Sequence, residues 1–182
     1  TYRIGMMAGH PEVYLSEKDA GMHQGRALDI LFPDPGVANK QLMKMWKRKL
    51  HIWTVAKWVH RVNSWVPGSE RHVVPWRHDE TGDRDINGIL ATTLTHVGFT
   101  PVEQAQGRTE RLDLGIPDDA PFVCFHARDS AYLEVLSKAN TGRHDSRDSS
   151  IHNYLPAVEA LAQLGYYSVR MGSVVKAPLA DT

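Results

Sequence analysis

Cysteine is all but missing: Cys124 is the only one among 182 residues. A single thiol excludes an internal disulfide framework and any four-cysteine zinc site, and it fits a reducing compartment. No apolar run approaches the length a bilayer-crossing helix needs. The first residues lack the charged-then-apolar pattern of a secretory leader. Net charge is also lacking, with 21 Lys and Arg against 21 Asp and Glu. No global field therefore draws the chain to nucleic acid or to anionic lipid, and any such attraction must be local. Neither G-x-G-x-x-G nor P-loop spacing occurs, and nothing supports Ser-His-Asp or H-E-x-x-H chemistry. The ten histidines include no i, i+4 pair of the kind a helix turns into a metal site. There is no internal repeat and no low-complexity tract. These absences point to a cytoplasmic protein that does not bind nucleic acid.

What is present is ordinary globular composition, 42% hydrophobic and 23% charged, in a chain long enough for one sizeable domain or two small ones. Both ends read as cut. Tyr2 to Ala8 reads as a strand directly at the start, and Ala177 to Thr182 follow a strand and loop. The expectation is a piece of a longer protein.

Taken in order, the Tyr2–Ala8 strand leads into a Gly9-His10-Pro11 turn and a helix through Asp19, with Pro11 at its first position and Glu12 in its first turn. That arrangement can aim backbone N–H groups at an anion. Ala27 to Phe32 reads as a second strand. Asn39 to Leu50 reads as an amphipathic helix with Asn39 as N-cap and a basic face of Lys40, Lys44, Lys47, Arg48 and Lys49. Trp46 and Trp53, and Trp58 and Trp65, are spaced to share helix faces as core or helix–helix packing. Pro67 to Gly88 is loop-rich, with a short strand at His72 to Trp76. Its Asp83-Arg84-Asp85 matches the D-x-D of metal-dependent glycosyltransferases, but it follows a Thr-Gly turn and reads as structural. Thr100, Pro101 and Glu103 approach a capping box for a helix to Leu114. Leu114 to Pro121 reads as a linker.

The most informative stretch comes next. The apolar run Phe122, Val123, Cys124 and Phe125 opens into His126, Arg128, Asp129, Ser130 and Tyr132. A strand ending in polar groups is how an α/β domain presents a site, because ligands sit at the carboxyl ends of its strands. Cys124, inside the run, reads as an inert core thiol. A long polar loop holds Arg143, His144, Asp145, Arg147 and Asp148. A helix from Ile151 ends at Gly165, and Tyr166 to Met171 is the next strand. Strand, loop, helix and strand make a parallel βαβ crossover. Arginine offers phosphate a planar fork of donors. Arg128, Arg147 and Arg170 all map to the same sheet edge, with His126 and His144 beside them. The competing reading makes Arg128–Asp129 and Arg147–Asp148 ion pairs that brace the loops.

The stretch from Phe122 to Leu133, Arg143-His144-Asp145-Ser146-Arg147-Asp148-Ser149-Ser150-Ile151, Tyr154-Leu155-Pro156 and Tyr166 to Gly172 together resemble a bacterial family named as glycosyltransferases. Gly9-His10-Pro11-Glu12, Asn39-Lys40-Gln41-Leu42 and Lys44-Met45-Trp46-Lys47-Arg48 agree with it. His126-Ala127-Arg128 further resembles the H-x-R motif of GT-B fucosyltransferases, with Asp129 and Ser130 departing from the usual following residues. That resemblance implies that Arg128 holds the nucleotide-sugar diphosphate and assists its departure. It also implies two Rossmann-like domains, the donor pocket continuing beyond Thr182.

The expectation is therefore an α/β protein: a Rossmann-like N-terminal, acceptor-side domain (1–114), a linker (115–121) and the first βαβ of a nucleotide-sugar-binding domain (122–182). Its activity would be transfer of a sugar from a nucleotide-sugar donor to a glycan or lipid-linked acceptor, as in polysaccharide biosynthesis at the inner face of the membrane. It would need no cofactor beyond that co-substrate and no metal, because arginines would neutralise the departing diphosphate. Arg128 and His126 are the catalytic candidates, with Glu12 or His10 as base for the acceptor. Arg128, Arg147, Arg170 and His144 would hold the diphosphate. The alternatives are a non-catalytic nucleotide- or phosphate-binding module, and a peripheral membrane or interaction domain built on the basic, Trp-bearing region 40–65.

Overall fold

The computed structural model describes residues 3–23, 27–33, 36–74, 84–131, 134–135, 148–172 and 174–176. Among these residues the chain is mixed helix and strand, and the strands form two short parallel pairs. The chain divides into two compact units, 1–100 and 101–182. The division falls ahead of the helix that begins at Pro101, not in the 115–121 segment.

In the first unit, helix α1 (Ile4–Asp19) replaces the strand and turn expected over the first eleven residues. Gly5, Gly9 and Pro11 look like breakers but lie within it, and Pro11 is an interior residue rather than the first of a helix. Its missing N–H leaves the Met7 carbonyl, four residues back, without an intrahelical donor. The buried indole of Trp46 supplies one, donating Nε1–H to Met7 O at 2.9 Å. Packing thus compensates a local rule that would otherwise end the helix.

The strand expected over Ala27–Phe32 contracts to β1 (Ile30–Leu31). Helix α2 (Lys40–Lys47) is capped as expected, with Asn39 Oδ1 accepting from Leu42 N–H at 2.8 Å. Strand β2 (His51–Ile52) then lies parallel to β1, Ile30 against His51. Tyr14, Trp46 and Leu50 form the core, with Leu15, Leu31, Leu42, Ile52 and Val97 packed on it. Helix α3 (Ala56–Asn63) follows. Trp46 is the core residue of the tryptophan series; Trp53, Trp58 and Trp65 are exposed, against the expectation of packing. His72 closes a 3-10 turn (Ser69–His72) where a strand was expected, and Trp76 lies outside the described residues.

In the second unit, α4 (Pro101–Asp113) ends at Gly115 in the left-handed region, φ 78°. Ile116 N–H reaches back to Arg111 O and Gly115 N–H to Leu112 O, a Schellman stop with Ile116 buried beyond it. Strand β3 (Phe122–Phe125) pairs in parallel with β4 (Tyr167–Arg170), in the register Phe122–Tyr167 to Phe125–Arg170. A 3-10 turn (Ile151–Tyr154) and helix α5 (Leu155–Gln163) connect them. Gly165, φ 80°, terminates α5 as expected. Burial alternates along β3: Phe122 and Cys124 are exposed, whereas Val123 and Phe125 are part-covered, Phe125 edge-on to Tyr154 at 6.1 Å. Cys124 is therefore not a core thiol. The apolar run suggested burial on both faces, and the pair is covered on one.

Candidate functional site

The register sets the candidate site. Phe125 and Arg170 are opposite each other, so both strands reach their carboxyl ends at the same level. Met171 N–H then donates to Phe125 O at 2.7 Å. Beyond this edge the chain leaves β3 through His126 to Ser130, and Ser149 N–H donates to Arg128 O at 2.8 Å, tying the loop after β3 to the one before α5.

A cleft of about 350 Å³ opens here, lined by Asp129, Ser130, Asp148, Ser149, Ser150, Ile151, His152, Arg170 and Lys176. Asp129 organises it. Its Oδ1 accepts from Ala131 N–H at 3.1 Å, a local Asx turn, and its Oδ2 accepts from Lys176 N–H at 3.0 Å. Ser150 Oγ accepts from His152 N–H at 3.3 Å and lies 3.2 Å from His152 Nδ1, starting the 3-10 turn that leads into α5. Two cationic side chains, an imidazole and three hydroxyls thus border the cleft together with two carboxylates. One carboxylate is occupied by backbone donors. The other, Asp148 Oδ1, is 3.6 Å from Arg128 Nε. Neither expected ion pair describes Arg128. It pairs not with its neighbour Asp129 but across the loops with Asp148, which lines the cleft.

Of the candidates read from sequence, Arg128 and Arg170 come to the same strand edge, and only Arg170 lines the cleft. His126 is exposed one residue past β3. Arg147 and His144 lie outside the described residues. Lys176 and His152 are additions. Lys176 was legible only as a cation four residues after the Gly172 turn, and His152 only as a residue two beyond a serine cap.

Glu12 and His10 belong to the first unit and sit within α1, not in the first turn of a helix. Glu12 Oε1 accepts from both the backbone N–H of His96 at 2.9 Å and its ring Nδ1 at 2.8 Å. His96 Nε2 meets Asp19 Oδ2 at 3.0 Å, so one ring bridges two carboxylates about two helical turns apart. Burial acts to lower the His96 pKa, but the hydrogen bonds and charges of Glu12 and Asp19 outweigh it and hold the pKa above 6.5. His10 shifts the other way, lowered by burial and then by the Arg84 charge.

The last two residues of the D-x-D tripeptide have structural work. Asp83 lies outside the described residues. Arg84 is buried in a two-pronged pair with Glu17, and Asp85 accepts from Ile89 N–H at 2.7 Å and Leu90 N–H at 3.1 Å, starting the 3-10 turn Ile89–Ala91. Among the described residues no group of three or more His, Cys, Asp or Glu side chains is placed to hold a metal ion. None of the described helices is long and apolar enough to cross a membrane.

No protein-family model, no curated protein and no solved structure matches this chain.

Proposed function

We propose that the cleft at the carboxyl edge of β3 and β4 binds the diphosphate of a nucleotide sugar, and that the chain belongs to a glycosyltransferase of metal-independent type. The observation that carries this reading is the convergence of Arg170, Lys176 and the Ser130, Ser149 and Ser150 hydroxyls on one cleft at the ends of a parallel strand pair. Open α/β sheets take ligands at that edge, and guanidinium, ammonium and hydroxyl donors are the groups that recognise phosphate oxygens. Arg128, paired with the lining residue Asp148, is a further cation on the loop after β3. In transfer, negative charge grows on the departing diphosphate, and preorganised cations stabilise that charge more than they stabilise the bound donor. The sequence resemblance at His126-Ala127-Arg128 supports the same role for Arg128.

The test is calorimetric titration of the purified chain with a panel of nucleoside diphosphates and their sugars, followed by a transfer assay with and without chelator. Binding is expected to weaken by about tenfold or more in Arg170→Ala, the cost of losing one charge-assisted phosphate contact. Donor turnover surviving chelator and failing in Arg128→Ala supports transfer. Diphosphate binding without turnover favours the non-catalytic binding module. Absence of binding by the whole panel overturns the reading.

A further inference from the structure

The first unit carries a surface that the cleft does not explain. Helix α3 is anchored by a narrow side. Ala56 is buried, the His60 ring lies 5.4 Å from that of Phe32, and Asn63 Nδ2 donates to Ser69 O at 3.5 Å. The opposite side holds Val55, Trp58, Val59 and Val62, continued past the C-cap by Trp65 and Val66, at the 3–4 spacing of one helix face. Such a stripe normally meets a core. Here it is open: Trp58 is 67% exposed, Val59 68%, Val62 57% and Trp65 77%. A contiguous exposed apolar stripe of this kind marks an interaction surface.

The charge around the stripe identifies what it meets. Residues 36–69 hold seven Lys and Arg (Lys40, Lys44, Lys47, Arg48, Lys49, Lys57 and Arg61) and no Asp or Glu. The other residues of this formally neutral chain therefore carry seven acidic groups in excess. All seven cations are exposed, and Lys57 and Arg61 flank the apolar stripe, one helical turn apart. Tryptophan, valine and flanking cations on a short amphipathic helix are the composition of a segment that lies in a headgroup layer.

We propose that the outward face of α3 docks on an anionic lipid bilayer, with Trp58, Val59, Val62 and Trp65 entering the interface and Lys57 and Arg61 meeting the headgroups. A second copy packed about a two-fold axis on the same face would set two acid-free, basic segments against each other, so charge favours lipid. This inference stands independently of the cleft.

The experiment is flotation of the purified chain with vesicles of phosphatidylcholine alone and of phosphatidylcholine with phosphatidylglycerol. The tryptophan emission shift is read in parallel. Binding is expected only with the anionic vesicles, accompanied by a blue shift. Val59→Asp with Val62→Asp is expected to lower the bound fraction at least about tenfold, and Lys57→Glu with Arg61→Glu to lower it comparably. These positions are exposed, so the thermal transition in the absence of vesicles should not move. Equal flotation of wild type and both variants overturns the proposal. So does a sedimentation-detected dimer that Val59→Asp abolishes, in a chain that ignores vesicles; that result assigns the face to a second copy.

Discussion

Trp46 repairs a defect made by Pro11. The proline removes the donor that would close on Met7 O, and the indole N–H of Trp46 takes its place from another helix at 2.9 Å. Trp46→Phe keeps most of the apolar volume and removes the donor, leaving a buried carbonyl unsatisfied at a cost of about 1–3 kcal/mol. In a Pro11→Ala background the backbone N–H of residue 11 is restored, and the same Trp46→Phe change should cost less. A double-mutant cycle by urea denaturation is expected to give a coupling of about 1 kcal/mol. All five tryptophans fall in the first unit, so emission follows that unit in the presence of the second.

Arg84 and Glu17 form a pair of another kind. Nη1 meets Oε1 at 3.0 Å and Nη2 meets Oε2 at 3.1 Å, both side chains are buried, and His23 Nε2 lies 2.9 Å from Oε2. Breaking such a pair from one side strands a charge. Arg84→Met is expected to destabilise the first unit by roughly 3–5 kcal/mol, and Arg84→Met with Glu17→Gln to recover much of that loss. Equal losses in the single and double variants would count against the buried pair.

His96 gives the first unit a pH signature. Its folded-state pKa is raised, so its stabilisation is fully present below the unfolded value of 6.5 and is lost as pH rises through the folded value. Both ring nitrogens face carboxylates, and the neutral ring has only one proton to donate. His10 has the opposite sign: its lowered pKa gives a contribution present above 6.5 and lost as pH falls through the folded value. The wild-type profile mixes the two. The stability difference between wild type and His96→Gln isolates the first; it should be largest near about pH 6 and shrink toward about pH 9. A difference that grew with pH would refute the bridging imidazolium.

Asp129 couples the loop after β3 to the chain after β4 through its two carboxylate oxygens. Asp129→Ala releases the Ala131 and Lys176 amides together. Lys176 is solvent-exposed and its amide can hydrate, so the expected loss of second-unit stability is modest, about 1–2 kcal/mol by circular dichroism. In the calorimetric titration the same variant should weaken diphosphate binding, because Lys176 is no longer positioned. Tighter binding instead would show that Asp129 acts mainly as a repulsive charge.

The parts that were legible in the sequence are those fixed locally. Asn39 caps α2 because its side chain meets an amide three residues on. Gly165 stops α5 because the left-handed turn suits a residue without Cβ. The strand–helix–strand order over 122–170 was readable from period and turn residues, and with it the placement of Arg170. What was not legible depends on distant partners. Nothing near Pro11 announces that Trp46 will supply a donor, so the sequence starts the helix at Pro11 and makes the part of α1 before it a strand and turn. Nothing near Arg128 announces Asp148, twenty positions on. The burial of β3 is not local either. A four-residue apolar run does not say whether one face or both will be covered, and Cys124 ended on the open side.

The parallel register of β3 and β4 also orders events in time. Phe122 and Tyr167 meet across 45 positions of sequence, and closing a loop of that length costs entropy that no local contact offsets. α5 and β4 adjoin in sequence and pack together, so they can form before β3 joins them. The cleft exists only once that last strand has docked. A folding φ-value near zero at Val123→Ala, with a higher one at Leu161→Ala, is the expected record, and the reverse order would exclude it. In that order of events the polar groups at the strand edge are assembled late, when β3 docks on β4.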